Sequence, residues 1–99
     1  MSNAALGRLV GHWRKLGTPS CAAAYPDELE ILGRGSHRGR QKDGGYAVWD
    51  VGSVEIVGEG RVRMSTANDA EPVYQFKLDG EHLTFVDPEG CSFTYERVP

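Results

Sequence analysis

Short segments in which apolar and polar residues alternate make up most of the chain. β-Branched and aromatic residues take every second position in them, the period typical of strands with one buried face. The pattern predicts these strands: His12–Leu16, Glu28–Leu32, Gly35–Gln41, Gly45–Asp50, Ser53–Val57, Arg61–Thr66, Val73–Leu78, His82–Val86 and Cys91–Val98. Before them, only Ala4–Val10 is predicted to form a helical turn.

Glycine-containing turns separate most of these strands, and they set the topology. Asp79-Gly80 predicts a two-residue hairpin turn, because this dipeptide tolerates positive φ. Strands joined by tight turns are antiparallel neighbours, and such a meander removes its edge strands by closing into an up-and-down barrel. A β-sandwich needs long crossovers, and only Gly17–Pro26 is long enough for one. The 99 residues therefore predict one all-β domain, an antiparallel up-and-down barrel of eight or nine short strands.

The apolar positions of the alternation predict a core of large side chains. The inward set is Trp13, Leu29, Ile31, Val54, Ile56, Val62, Met64, Tyr74, Phe76, Leu78, Leu83, Phe85, Phe93 and Tyr95. A barrel of about eight strands holds either packed side chains or one small ligand. We therefore expect a largely filled core with, at most, a shallow pocket at one mouth. Gly45–Asp50 stays ambiguous, since either Tyr46 or Trp49 can face inward.

The segment Leu9-Val10-Gly11-His12-Trp13 resembles the Gly-x-Trp opening of lipocalins and their calycin relatives. In those proteins a short turn precedes the first strand, the Trp closes one barrel end, and an Arg on the last strand packs over it. The resemblance implies that Arg97 stacks on Trp13 in a structural role. This chain is much shorter than a lipocalin, and it lacks most of the strand length that builds the lipocalin ligand cup.

Two other barrel families share features with the chain. Gly-x-Trp followed by Tyr25-Pro26 is similar to haem-binding nitrobindin-like barrels, but the glycine spacing after Trp13 differs and no late His fits an axial ligand. We therefore expect no cofactor. The size also resembles small bacterial inhibitor barrels that block metalloproteases through an N-terminal segment, which Met1–Ala5 would represent here.

The two cysteines fall near opposite ends of the sequence. In a closed meander the first and last strands are antiparallel neighbours, so Cys21 and Cys91 lie at the same barrel end. A disulfide there would tie the barrel seam and constrain about 70 residues. Two reduced thiols of a cytosolic protein fit the sequence as well.

Composition and charge argue against two classes of partner, nucleic acids and membranes. A formal charge of −3 and a pI of about 5.5 argue against a dedicated nucleic-acid binder. No apolar run approaches the about 20 residues of a membrane span, so none is expected. No leader is recognisable, and Ser2-Asn3-Ala4 resembles a vector remnant within the N-terminal turn of residues 1–10. We expect a cytoplasmic protein, or a secreted or periplasmic one if a leader was trimmed.

One stretch is strongly basic. The four cationic residues between positions 34 and 42 have no acidic neighbour within the stretch, and they share one strand parity: Arg34, Arg38, Arg40 and Lys42. Such a face suits a phosphate, an acidic protein partner or the acidic face of a second copy. The alternative is a solvated edge strand on which cations discourage further pairing.

Motifs for catalysis or metal binding are missing from the sequence. His12, His37 and His82 lie on three separate strands without metal-ligand spacing, and we expect all three on the solvated surface. We therefore predict no enzyme and no metal site. The predicted function is a non-enzymatic module that binds a small apolar or amphipathic molecule at one barrel mouth through Tyr46, Trp49, Met64 and Tyr74. The alternative is a protein-interaction domain, an inhibitor or a homodimer, that has a filled core and uses the basic 34–42 face.

Overall fold

A computed structural model describes residues 4–17 and 19–99 of the chain. Its elements are helix α1 (Ala4–Leu9), a 3₁₀ turn (Ser20–Ala22) and strands β1 (Gly11–Leu16), β2 (Glu28–Leu32), β3 (Ser36–Arg40), β4 (Val51–Gly58), β5 (Arg61–Met64), β6 (Val73–Asp79), β7 (His82–Val86) and β8 (Ser92–Val98). The eight strands form a closed barrel in chain order. Every neighbouring pair is antiparallel, including β1 with β8. The predicted all-β up-and-down barrel is confirmed in its eight-strand form.

The hairpin between β6 and β7 turns one residue later than the sequence indicates. Asp79 pairs directly with His82, so Gly80 and Glu81 are the two central residues. Gly80 has a φ of 61°, whereas Glu81 has no positive φ. A glycine with positive φ at the first central position fits a type II′ turn, which matches the twist of the strands it joins.

The predicted strand Gly45–Asp50 is wrong. Residues 41–50 instead form the connection between β3 and β4. Their backbone bonds to other loops, since Val48 N–H donates to the carbonyl of Ala24 at 2.7 Å and Ala67 N–H donates to that of Val48 at 2.7 Å. The alternation at 45–50 arises because Ala47 and Trp49 point into the barrel from a loop rather than from a strand.

Trp49 fills the middle of the barrel. Its side chain is fully buried. Five tyrosine and phenylalanine rings have their centroids between 4.9 and 6.4 Å from it: Tyr25, Tyr74, Phe85, Phe93 and Tyr95. Edge-to-face geometry dominates these pairs, the arrangement favoured by the ring quadrupoles. The interior is therefore filled by side chains, as the inward-facing pattern predicts.

The alternation of strand directions gives the barrel two distinct ends. At the helix end lie α1 and the short turns 33–35, 59–60 and 80–81. At the disulfide end lie residues 17 and 19–27 with the loops 41–50, 65–72 and 87–91. Cys21 and Cys91 form a disulfide at this second end, with their Cα atoms 5.9 Å apart.

Trp13 and Arg97 join the first and last strands at the helix end. The Arg97 guanidinium lies 4.3 Å from the centroid of the Trp13 ring, the contact that the resemblance implies. The guanidinium also donates to the carbonyls of Val10 and Arg8, each at 2.9 Å. This contact and the closed barrel are consistent with a calycin-like fold.

Candidate functional site

The four residues predicted to bind a ligand do not form one surface. Trp49, Met64 and Tyr74 are at most 1 % exposed, whereas Tyr46 is 63 % exposed on the loop 41–50. The structure brings Trp49 and Tyr74 together, because the indole Nε1–H donates to the Tyr74 hydroxyl at 3.2 Å. These buried positions place three of the four residues in the packed interior and the fourth outside it.

The buried tyrosine hydroxyls are hydrogen-bonded and stay protonated. The Tyr25 hydroxyl donates to the Asp87 carboxylate at 3.0 Å, and that of Tyr95 donates to the carbonyl of Pro26 at 2.7 Å. Burial is the largest cause that raises the pKa of Tyr25, Tyr74 and Tyr95 above the ordinary tyrosine value. The hydroxyls therefore act as neutral hydrogen-bonding groups that fasten the disulfide end.

His37 is fully buried, which corrects the expectation that it lies on the solvated surface. Its Nε2 lies 2.9 Å from the Ser65 carbonyl oxygen, an arrangement that requires the proton on this nitrogen. Within the described chain, the buried Nδ1 has no hydrogen-bond partner. Burial is the main cause that lowers the pKa of His37. The burial of His37 was not predicted because the basic residues on either side of it face solvent.

A cleft of about 400 Å³ opens at the helix end, between α1 and the wall formed by β4 and β6. Ile56, Phe76 and Leu78 point inward there but are only half-buried. Ala5 and Arg8 of α1 line the facing side, and Glu59 stands at the rim with the backbone of the β4–β5 turn. The cleft thus combines an apolar floor with one charge of each sign at its edge. Alternation identifies the floor residues, but not the space left beside the helix.

A wider groove of about 930 Å³ lies on the outside of the barrel, across β8, β1, β2 and β3. We call the outward residues of these strands the charge-alternating face: Glu96, Arg14, Glu28, Arg40, Val98, His12, Glu30 and Arg38. Along one row the strand partners are Glu96, Arg14, Glu28 and Arg40, so the sign of the charge alternates from strand to strand.

Ion pairs link neighbours within this face. Arg14 lies 2.8 Å from Glu96, and Arg40 pairs with Glu28. The Arg40 guanidinium holds the pKa of the Glu28 carboxyl below its usual value. His12 lies 3.4 Å from Glu30.

The predicted basic 34–42 face is divided by the fold. Arg38 and Arg40 point outward from β3, whereas Arg34 lies before this strand and Lys42 lies after it. The acidic Glu28 and Glu30 are their direct partners on β2, so the surface has alternating rather than basic character. The alternation in Glu28–Leu32 already predicts that Glu28 and Glu30 face outward. Only the register of β2 against β3 shows that they lie beside the arginines.

The described residues contain neither a metal-ligand cluster nor a membrane-spanning helix. No three His, Cys, Asp or Glu side chains in residues 4–17 and 19–99 come together as metal ligands. In the same ranges, no helix is long and apolar enough to cross a membrane. Compared with models of known protein families, with curated protein sequences and with solved structures, the chain gives no significant match.

Proposed function

We propose that this protein is a non-enzymatic binding module whose ligand is a small apolar or amphipathic molecule held in the helix-end cleft. The observation that carries the proposal is the incomplete cover of Ile56, Phe76 and Leu78. These side chains point into the barrel, yet α1 leaves open space beside them. A ligand that fills this space removes apolar surface from water, which is the main driving force for such sites.

The dimensions of the cleft favour a short chain over a large ring system. Its volume of about 400 Å³ lies at the lower end of the range found for ligand sites. Among the described residues, the fully buried Trp49 occupies the centre of the barrel, which favours the cleft over the interior as the ligand site. Arg8 and Glu59 at the rim favour a molecule whose polar end stays in water while its apolar end enters the cleft.

A titration with straight-chain alcohols tests the proposal, because they supply an apolar tail and a neutral polar end. Each buried methylene contributes about 0.8 kcal/mol, and about 1.4 kcal/mol is a tenfold change in affinity. We expect 1-octanol to bind at least about tenfold more tightly than 1-butanol. Amide chemical shifts in NMR spectra should change around Ala5, Phe76 and Leu78.

A matched pair of variants separates the cleft from non-specific contact. Ala5→Trp places an indole against the cleft and should abolish the octanol-dependent shifts. Ala70→Trp makes the same substitution at an exposed position of the loop 65–72, at the other barrel end, and should leave them unchanged. Binding that survives Ala5→Trp, or shift changes that cluster on the outer strands, would contradict the proposal.

A protein-interaction role is the second candidate, and the outer groove is the observation that favours it. In that case the filled barrel is a rigid support for a recognition surface, and charges on the surface select the partner. The Cys21–Cys91 disulfide supports work in an oxidising compartment, such as the periplasm or the exterior of the cell, for either function.

A further inference from the structure

We propose that the charge-alternating face binds the same face of a second copy of this chain, forming a two-fold symmetric dimer. The proposal is independent of the cleft at the helix end, which lies at a different part of the barrel. It rests on the order of charges across four neighbouring strands. Read from β8 to β3, one row carries Glu96, Arg14, Glu28 and Arg40, and each residue is the strand partner of the next.

An alternating row with an even number of charges is complementary to itself. A second copy turned about an axis parallel to the strands, between β1 and β2, presents the row in reverse order. Arg14 then faces Glu28 of the second copy, and Glu96 faces Arg40. All four positions of the row therefore meet an opposite charge. Each type of contact occurs twice because of the two-fold symmetry, as in an isologous interface.

The second row of the face is matched at its centre, while its outer positions set Val98 of the second copy opposite Arg38. His12 faces Glu30 of the second copy under this rotation. Val51, the strand partner of Arg38 at the edge of the groove, is 72 % exposed. The rotation sets it beside Val98 of the second copy, which is 38 % exposed. The edges of the interface thereby bring together apolar side chains that the single barrel leaves in water.

The single barrel leaves part of the charge on this face without a partner. Arg40 and Arg14 pair with neighbours in the same barrel, but Arg38 has no ion pair or side-chain hydrogen bond within the described chain. Side chains on the face remain accessible, with 77 % exposure for Arg40 and 53 % for Arg14. Arg14 and Arg40 are long enough to reach Glu28 and Glu96 of the facing copy without a change in the barrel. Arg38, in contrast, faces Val98 of that copy and meets no acid directly opposite.

The area of the charge-alternating face determines the affinity expected for the dimer. Four strands spaced by about 4.8 Å make a patch about 15–20 Å wide, and its two rows of outward side chains lie about 7 Å apart along the strands. The area of this patch is therefore smaller than the roughly 800 Å² per partner of a stable interface. The dimer should therefore be weak, reversible and dependent on salt. Sedimentation velocity over a range of protein concentrations should show dimers at about 10 mM ionic strength and monomers at about 1 M, where the Debye length falls from about 30 Å to about 3 Å.

A mixing experiment tests the symmetry itself. Glu96→Lys alone places a cation opposite Arg40 of the second copy, and Arg40→Glu alone places an acid opposite Glu96. Each variant by itself should lose self-association by about tenfold or more. An equimolar mixture should regain the affinity of the unaltered protein, because the introduced lysine of one variant faces the introduced glutamate of the other. Each chain in the mixture carries only one of the two substitutions, and positions 40 and 96 lie three strands apart within one barrel. A recovered affinity therefore reports contact between two different chains.

Arg63→Glu is the matched control. It makes the same charge change and breaks an ion pair with Glu55 at 2.7 Å, but it lies on β5, outside the proposed face. We expect its dimer affinity to equal that of the unaltered protein. Thermal unfolding of all variants checks that the barrel stays folded. A protein that is monomeric at low salt, or a mixture that recovers no dimer, would overturn the proposal.

Discussion

The two ends of the barrel are closed in different ways. At the disulfide end, polar side chains that point inward hold the loops by their backbone. The Lys15 ammonium donates to the carbonyls of Ala22 and Tyr25 at 3.0 and 2.8 Å, and the Gln41 amide donates to that of Ala23 at 3.1 Å. At the helix end, the six-residue helix α1 covers the barrel mainly with two buried leucines, Leu6 and Leu9.

This difference explains where space remains. Loop carbonyls need partners once they are buried, and Lys15 and Gln41 supply them while drawing the loops tightly over the core. One of these loops carries Trp49 inward, so its indole ring fills the barrel beneath the described loops of the disulfide end. At the helix end, hydrogen bonds from Trp13 and Arg97 hold the C-terminal part of α1 and the residue after it, while the rest of the cover is apolar and leaves Phe76 and Leu78 half-exposed beside a cleft.

The largest expected effect comes from emptying the closed end. Trp49→Ala removes the ring at the centre of the aromatic cluster and should lower the free energy of unfolding by about 3–5 kcal/mol. Phe76→Ala removes a half-buried ring at the helix end, and its effect should be clearly smaller. Chemical denaturation of both variants measures the comparison.

Added indole sharpens the same test. The space left by Trp49 is lined mainly by aromatic rings and by the Tyr74 hydroxyl that accepted its N–H, so it suits a ligand of the same shape that also carries an N–H. Indole should therefore raise the melting temperature of Trp49→Ala and leave the unaltered protein unaffected. Equal destabilisation by both alanine variants would mean that the two ends pack equally well, against the comparison made above.

The disulfide should contribute the next largest effect. Cys21 and Cys91 are separated by 70 positions, and closing a loop of that length stabilises a protein by about 4 kcal/mol in the chain-entropy model, while disulfides typically contribute about 2–4 kcal/mol. The double variant Cys21→Ser/Cys91→Ser should lose this amount in equilibrium unfolding. Its amide spectrum at the disulfide end should stay close to that of the unaltered protein, because Lys15 and Gln41 still hold the loops. Wide spectral change there would show that the bridge, rather than the polar network, orders this end.

The sequence predicted the barrel well because its signals are local. Alternation and turn residues lie within a few positions of one another, and eight of the nine predicted strands are present, with ends shifted at most a few residues. Gly45–Asp50 failed because a short alternating stretch has the same pattern whether it forms a strand or a loop with two buried side chains. Lys15 was not identified either, since the loop carbonyls and the Asp27 carboxylate, 3.7 Å away, that make its buried ammonium favourable come near it only in the folded chain.

Sites were less predictable than the fold, because they depend on which strands become neighbours. The basic stretch of residues 34–42 was visible in the sequence. In the folded barrel Glu28 and Glu30 lie beside Arg40 and Arg38, so this surface alternates in charge instead of being basic. The cleft was equally hidden. Alternation placed Ile56 inside the barrel, whereas the space beside it depends on how far α1 reaches across the mouth.

Arg97 provides a smaller test at the helix end. Arg97→Leu removes the contact with the Trp13 ring and the hydrogen bonds to the carbonyls of Arg8 and Val10. We expect a loss of about 2 kcal/mol in the free energy of unfolding. Amide exchange should accelerate in α1 more than at the disulfide end, since the guanidinium joins this helix to β8. Uniform acceleration at both ends would contradict an independent closure of the helix end.

The smallest expected effect concerns His37, which lies beneath the closed end. Burial lowers the pKa of the folded-state imidazole, so the unfolded chain takes up a proton more readily than the folded one. The stabilisation by neutral His37 is complete above the unfolded value of about 6.5, and it is lost progressively as the pH falls from there towards the folded pKa. One proton limits the slope to about 1.4 kcal/mol per pH unit.

Two glutamine variants isolate this slope from the titration of other groups. His37→Gln keeps an N–H donor for the Ser65 carbonyl but does not titrate, so its free energy of unfolding should depend less on pH between about 7 and 5. His82→Gln makes the same substitution at an exposed position and serves as the matched control. A protonated His37 would bury its charge and a second N–H donor at Nδ1, where the described chain offers no acceptor. If His37→Gln instead keeps the full slope, the closed end tolerates that charge, and its packing is looser than at the centre of the barrel.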